Sequence, residues 1–165
     1  MVLGRRAAVP LGTVAAIGTL VVAVLVLRSE TQGESTARPP KPPDVQVARS
    51  KLGRILVDAR GRTLYLFLED ADARSSCYGG CARVWPPALA SRHPKAGDGV
   101  KASKLTTRRR RHAKARQLVY NHHPLYTTVG DERPGQTAGQ GYFGTWFVVS
   151  PSGRLIGKPS KSGGY

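Results

Sequence analysis

The sequence of 165 residues predicts an all-β fold: two hairpin-based tandem repeats forming one small domain, preceded by a single N-terminal transmembrane helix. Three observations carry this. From Val45 onward, runs rich in Val, Ile, Leu, Tyr and Phe alternate with turn signals, and helical periodicity is missing. Leu64, Tyr65, Asp70 and Trp85 are matched 61 residues later, without a gap, by Leu125, Tyr126, Asp131 and Trp146. Ahead of all this, Ala7 to Leu27 carries no charge.

The uncharged run would span about 31 Å as a helix, roughly the core of a bilayer. Arg5 and Arg6 precede it, so the positive-inside rule holds that end in the cytoplasm and sends the rest outside. Residues 1–28 are read as a signal-anchor. A cleaved signal peptide, giving a secreted product, is the alternative; the run exceeds the usual apolar stretch of such a peptide, and small residues suited to cleavage come late, at Ser35-Thr36-Ala37. Residues 29–44 hold Pro39, Pro40, Pro42 and Pro43 and read as an extended spacer. The β domain is expected over 45–158, with repeat 1 about 52–87 and repeat 2 about 115–150, and a disordered tail over 159–165.

Within the domain, "VQVARS" alternates as a half-buried strand does. "RILVDARGRTLYLFL" is a hairpin turning at Asp58–Gly61, where Gly61 supplies a positive φ. A short helical turn fits Cys81–Trp85, stopped by Pro86-Pro87. Arg108–Arg111 leads into a turn, with Arg116–Tyr120 returning beside it. "VYNHHPLY" and "WFVVSPSGRLIG" supply further hairpins at Asn121–Pro124 and Pro151–Gly153. A single hairpin is marginal in water, so the two copies should bury their faces against each other, with Trp85 and Trp146 as one core piece from each.

These residues resemble a known family. Tyr65-Leu66-Phe67-Leu68-Glu69-Asp70 fits the Tyr-x-aromatic-x-x-Asp motif of the bacterial secreted-repeat proteins, described as predicted lipoproteins of unassigned function. "GRTLY", "SSCYGGCARVWPP", "HPLY" and "VSPSG" are similar to the wording of that family, and the resemblance covers roughly Val45 to Ile156, most of the exported domain. The resemblance implies an all-β secreted or membrane-attached protein and no particular reaction. This chain departs from the pattern in three ways: it has no lipid-attachment Cys after the apolar run, Thr128 stands where the second aromatic belongs, and the segment between the repeats is strongly basic.

Because the Asp lies five residues beyond the Tyr, it is expected just past the strand, bonding turn amides, while the Tyr hydroxyl meets a partner at the core edge. Cys77 and Cys81 flank Gly79-Gly80, which lets the loop close into a disulfide suited to an oxidising compartment. Beyond the apolar run the chain carries a net charge of +14. Eight Lys and Arg crowd residues 101–116 without an acid. The anion-binding candidates are Lys104, Arg108, Arg109, Arg110, Arg111, Lys114 and Arg116. Outside a cell the partners of such a surface are anionic lipid or wall polymer. Nucleic acid is not expected, since the run lacks interleaved aromatics and faces the exterior. Asp70, Asp72 and His123 are weak metal candidates. No Ser/His/Asp or Cys/His constellation is recognisable, so no catalytic residue and no cofactor is assigned. The expected function is a non-enzymatic binding or scaffold module of the cell envelope; the alternative is a metal- or redox-linked protein using copper, haem or another cation.

Overall fold

The computed structural model describes residues 41–111 and 113–157; the expected transmembrane helix, the spacer as far as Pro40 and the tail lie outside the described residues. Among the described residues no helix is long and apolar enough to cross a membrane. Strands dominate. In chain order they are β1 (Val45–Ser50), β2 (Gly53–Asp58), β3 (Tyr65–Phe67), β4 (Leu105–Arg109), β5 (Arg116–Tyr120), β6 (His123–Pro124) and β7 (Trp146–Val148). Among the described residues one short helix, α1 (Gly80–Val84), follows β3, and a single 3-10 turn (Ala102–Lys104) precedes β4. The helix stops at Trp85 (φ −118°, ψ 75°), which the following Pro86 keeps out of the helical region.

The local turns follow from side-chain chemistry. Asp58 Oδ1 accepts the amides of Arg60 and Arg62, both at 2.9 Å, and its Oδ2 accepts Arg62 Nε at 2.7 Å. Such an Asx-type turn needs a short acceptor at its first position, which an aspartate supplies.

The strands form three small antiparallel groups, β1-β2, β3-β7 and β4-β5-β6. Their joining differs from the sequence expectation. The two copies do not simply lay one face on the other; they exchange strands. The first Tyr strand pairs with the segment around the second Trp: β3 lies against β7, Leu68 N donates to Thr145 O at 2.9 Å, and Val149 N donates to Leu64 O at 3.1 Å. The second Tyr segment pairs reciprocally with the first Trp segment. Val129 N donates to Val84 O at 3.1 Å and Ala88 N donates to Leu125 O at 2.9 Å. Each of these bonds has its counterpart 61 residues away. At the centre Tyr65 N donates to Tyr126 O at 2.8 Å and Tyr126 N to Tyr65 O at 3.0 Å, so an approximate two-fold axis passes between the two tyrosines.

Exchange explains why Leu64–Phe67 is apolar at every position, whereas Leu68, at the end of "LYLFL", is exposed. A strand buried on both faces has no polar side to show. Strand alternation sends Leu64 and Leu66 into one apolar cluster with Leu56, Leu118, Leu125, Phe147 and Val149. The opposite face sends Tyr65 into a second cluster with Ile55, Val57, Trp85, Tyr126, Trp146 and Val148. The central sheet therefore runs between two cores.

Candidate functional site

Tyr65 and Tyr126 are fully buried, and each hydroxyl reaches the aspartate of the other repeat. Tyr65 Oη donates to Asp131 Oδ2 at 2.8 Å, and Tyr126 Oη donates to Asp70 Oδ2 at 2.7 Å. The second oxygen of each carboxylate closes its own loop. Asp70 Oδ1 accepts Ser76 N at 2.7 Å and Asp131 Oδ1 accepts Ala138 N at 2.8 Å. The aspartates do sit past their strands and bond turn amides. That the phenol they receive belongs to the other copy carries no local signal in the sequence. With both oxygens of each carboxylate accepting internal donors, the arrangement acts as a pair of latches across the two-fold axis.

The tryptophans complete the centre. Trp85 and Trp146 stack with ring centroids 4.0 Å apart and planes 4° from parallel, with Tyr65 edge-on to Trp85 at 5.3 Å and Tyr126 edge-on to Trp146 at 5.1 Å. Phe67 stacks on Trp146 at 4.1 Å. Thr128, in place of the second aromatic, is buried and directs its hydroxyl to Val84 O. Gly139 lies against this stack: a Cβ there would meet Trp85 Cη2 at 2.5 Å and Tyr65 Cε1 at 3.0 Å. Rings held on both sides cannot yield, so Gly139→Ala is expected to cost about 1–3 kcal/mol, as overpacking does; a urea midpoint unchanged from wild type would contradict it.

Burial raises the Tyr65 phenol well above its ordinary value, and the hydrogen bond and charge of Asp131 add to this. Burial likewise raises Tyr126; Ser75 opposes the shift and the Asp70 charge reinforces it. Asp131 is raised by burial, against the pull of Tyr65 and the Ala138 amide. A phenol that stays protonated in the fold but ionises near pH 10 when unfolded contributes fully below that pH and loses its contribution as pH rises above it. Each such phenol gives a slope of about 1.4 kcal/mol per pH unit, about 2.7 kcal/mol for both. Denaturation across that range should show this alkaline loss, and Tyr65→Phe with Tyr126→Phe should flatten it.

Beside the Asp70 loop a cleft of about 300 Å³ opens between the first copy's loop, including Arg74 and Tyr78, and the second copy's β4–β5 hairpin with Arg108–Arg111. Among the described residues no carboxylate lines it. The seven basic candidates divide by what their side chains touch. Lys104 Nζ donates to Ser152 O at 2.6 Å, and Arg116 clasps Thr107 through Nε and Nη2 at 2.8 and 2.7 Å. Arg110 donates to Ser75 Oγ at 2.9 Å, to Gln117 Oε1 and to Cys77 O at 2.7 Å, and lies 4.4 Å over the Tyr78 ring. It is a post that fixes the loop to the hairpin. Arg108 reaches Asp72 O at 2.8 Å. The Arg109, Arg111 and Lys114 side chains are exposed and make no hydrogen bond or ion pair within the described residues. Arg109 also stands opposite Arg116 in the β4–β5 register, a like-charge pairing that costs stability unless an anion screens it. Arg74 and Tyr78, absent from the sequence-based set, join the cleft because the disulfide loop folds back over β4.

Cys77 and Cys81 form the expected disulfide, with Cα atoms 5.3 Å apart. It holds the loop whose Cys77 carbonyl receives Arg110. In the second copy the equivalent positions are Ala138 and Tyr142, and the equivalent groove, about 510 Å³, has Lys51 and Arg133 as its cations. The copies share a core and differ in their clefts.

The weak metal candidates do not assemble a set of free ligands. The Asp70 carboxylate is taken by Tyr126 and Ser76, Asp72 is exposed at φ 51°, and burial lowers His123, with Asp70 opposing. Among the described residues no three His, Cys, Asp or Glu side chains group as a metal site.

No curated protein and no solved structure matches the chain. The family described as a secreted repeat of unknown function matches it twice, over residues 46–89 and 108–150. Those two spans are the two copies that exchange strands around Tyr65 and Tyr126, and a secreted repeat fits an extracellular or envelope address. The chain belongs to this secreted-repeat family.

Proposed function

We propose that the domain is a non-enzymatic binding module of the cell envelope, held to the membrane by the apolar run Ala7–Leu27, whose arginine cleft takes an anionic ligand: the phosphate or carboxylate groups of lipid headgroups or wall polymers. The observation that carries this reading is the cleft itself, where Arg74 and Arg108–Arg111 line one concavity with no acidic partner among the described residues. The two ion pairs among the described residues, Lys41–Asp44 and Arg62–Asp58, lie elsewhere. Guanidinium groups present paired donors that match phosphate and carboxylate oxygens. Arg110 shapes the cleft, while Arg108, Arg109 and Arg111 are the hairpin arginines with donors to offer.

The reading predicts that residues 40–165, a compact unit, bind anionic vesicles or wall material and release as salt rises. Retention that ignores salt, or that survives neutralisation of Arg108, Arg109 and Arg111, would count against it. The metal- or redox-linked alternative gains no support from the geometry: both thiols are in the disulfide and the Asp70 carboxylate is already engaged.

A further inference from the structure

The segment Gly141-Tyr142-Phe143-Gly144 forms a tight knuckle between the second copy's loop and β7. Gly141, Phe143 and Gly144 have φ of 73°, 47° and 69°. A phenylalanine in the left-handed region is strained, because its Cβ crowds the following carbonyl. The strain is held by backbone bonds: Gly141 N to Trp146 O at 2.8 Å, Gly144 N to Gly141 O at 2.9 Å, and Thr145 N to Tyr142 O at 3.1 Å. Yet the ring so positioned is 84% exposed, the highest value among the exposed large apolar side chains. Its aromatic neighbour is Tyr142, at 4.5 Å, which leans edge-on against Trp85 at 5.7 Å. The core therefore braces an aromatic that the core does not use.

Phe143 is not isolated. Exposed Val84, whose carbonyl receives the amide of exposed Val129, directly precedes Trp85, the ring against which Tyr142 leans, at the C-terminal end of α1. Just ahead of the N-terminal end of α1 stands Tyr78, against Arg110 and the Arg111 amide. Five helical residues span about 7.5 Å, so an apolar tip and an arginine arm share one short stretch of surface. A soluble polyanion offers nothing to an exposed Phe and two valines. An anionic bilayer offers both charge and an apolar layer beneath it. The sequence also keeps that surface near: with Ala7–Leu27 in the bilayer, the residues between Leu27 and Lys41 reach at most about 45 Å.

We propose that the Tyr142–Phe143 knuckle, with Val84 and Val129, inserts into the headgroup boundary of an anionic membrane while the β4–β5 arginines hold its phosphates. This rests on the arginine-docking reading and selects lipid as the source of the anion.

The test uses the full chain in proteoliposomes of phosphatidylcholine, alone or mixed with phosphatidylglycerol. A polarity-sensitive dye is attached at Phe143→Cys or, as a control on an exposed loop, at Ser91→Cys. Energy transfer from the Ser91 position to a headgroup dye reports docking. The expected result is a blue shift at position 143 only with the anionic lipid, and none at position 91. Phe143→Asn, which suits the left-handed backbone and preserves the fold, should keep docking at low salt and lose at least about tenfold of what persists at high salt, since charge contacts are screened and apolar ones are not. Docking at position 91 with no shift at 143, or Phe143→Asn behaving as wild type, would overturn the insertion and leave the arginine reading standing. No energy transfer in anionic vesicles would overturn the insertion and remove lipid as the source of the anion, leaving wall polymer to the arginine cleft.

Discussion

Trp85→Ala is expected to destabilise the domain by about 3–5 kcal/mol, the usual cost of emptying a buried aromatic site, and Trp146→Ala by a similar amount. The reason is their shared position. Each indole is 4% exposed, and they lie face to face at 4.0 Å on the axis relating the copies. Removing either takes the stacking face from the other and the edge contact from a buried tyrosine. Residues in direct contact are not additive, so the double variant should cost clearly less than the sum of the singles. Urea denaturation of the four proteins gives the cycle. Two independent, additive losses would mean that each tryptophan serves only its own repeat, and the exchanged architecture would then be wrong.

The second large effect is on binding. Neutralising Arg108, Arg109 and Arg111 together to Gln should remove about 1 kcal/mol each near an anionic surface. The sum, about 3 kcal/mol, is on the order of a hundredfold in affinity. Stability should change little, because two of these side chains are free of hydrogen bonds within the described residues and the third meets one backbone oxygen. Arg110→Gln should do the reverse. It leaves Cys77 O and Gln117 Oε1 without their charged donor, a loss of about 1–3 kcal/mol in stability. Vesicle sedimentation and thermal unfolding, run on both variants, separate the two roles. If the triple variant unfolds early and Arg110→Gln does not, the division of the arginines drawn from the hydrogen bonds fails.

Nothing in "RRRR" distinguishes its third member, yet Arg110 is a structural post and Arg109 a solvated charge. The difference comes from acceptors contributed by Ser75 and Cys77, more than thirty positions away in sequence. Arg74 and Tyr78 were missed for the same reason: a contact made by a loop folding back leaves no periodicity to read. The disulfide, by contrast, was legible because both partners and the glycines that bend the chain lie within five consecutive residues. The turn position of Asp70 was legible because five steps along a strand end on the wrong face.

The sequence by itself determined that the domain is β-built, that it is doubled at an interval of 61 residues, and where its local turns and short cross-link fall. Each of these rests on interactions between near neighbours or on the period of a strand. Only the tertiary structure decided that each Tyr strand lies against the other copy's Trp segment, that Tyr65 answers Asp131 and Tyr126 answers Asp70, and that the indoles meet face to face. Two copies of one design offer every strand two partners of similar shape. The choice between them is made by chain connectivity and by burying both faces of one strand at once, and neither is written in any local stretch of residues.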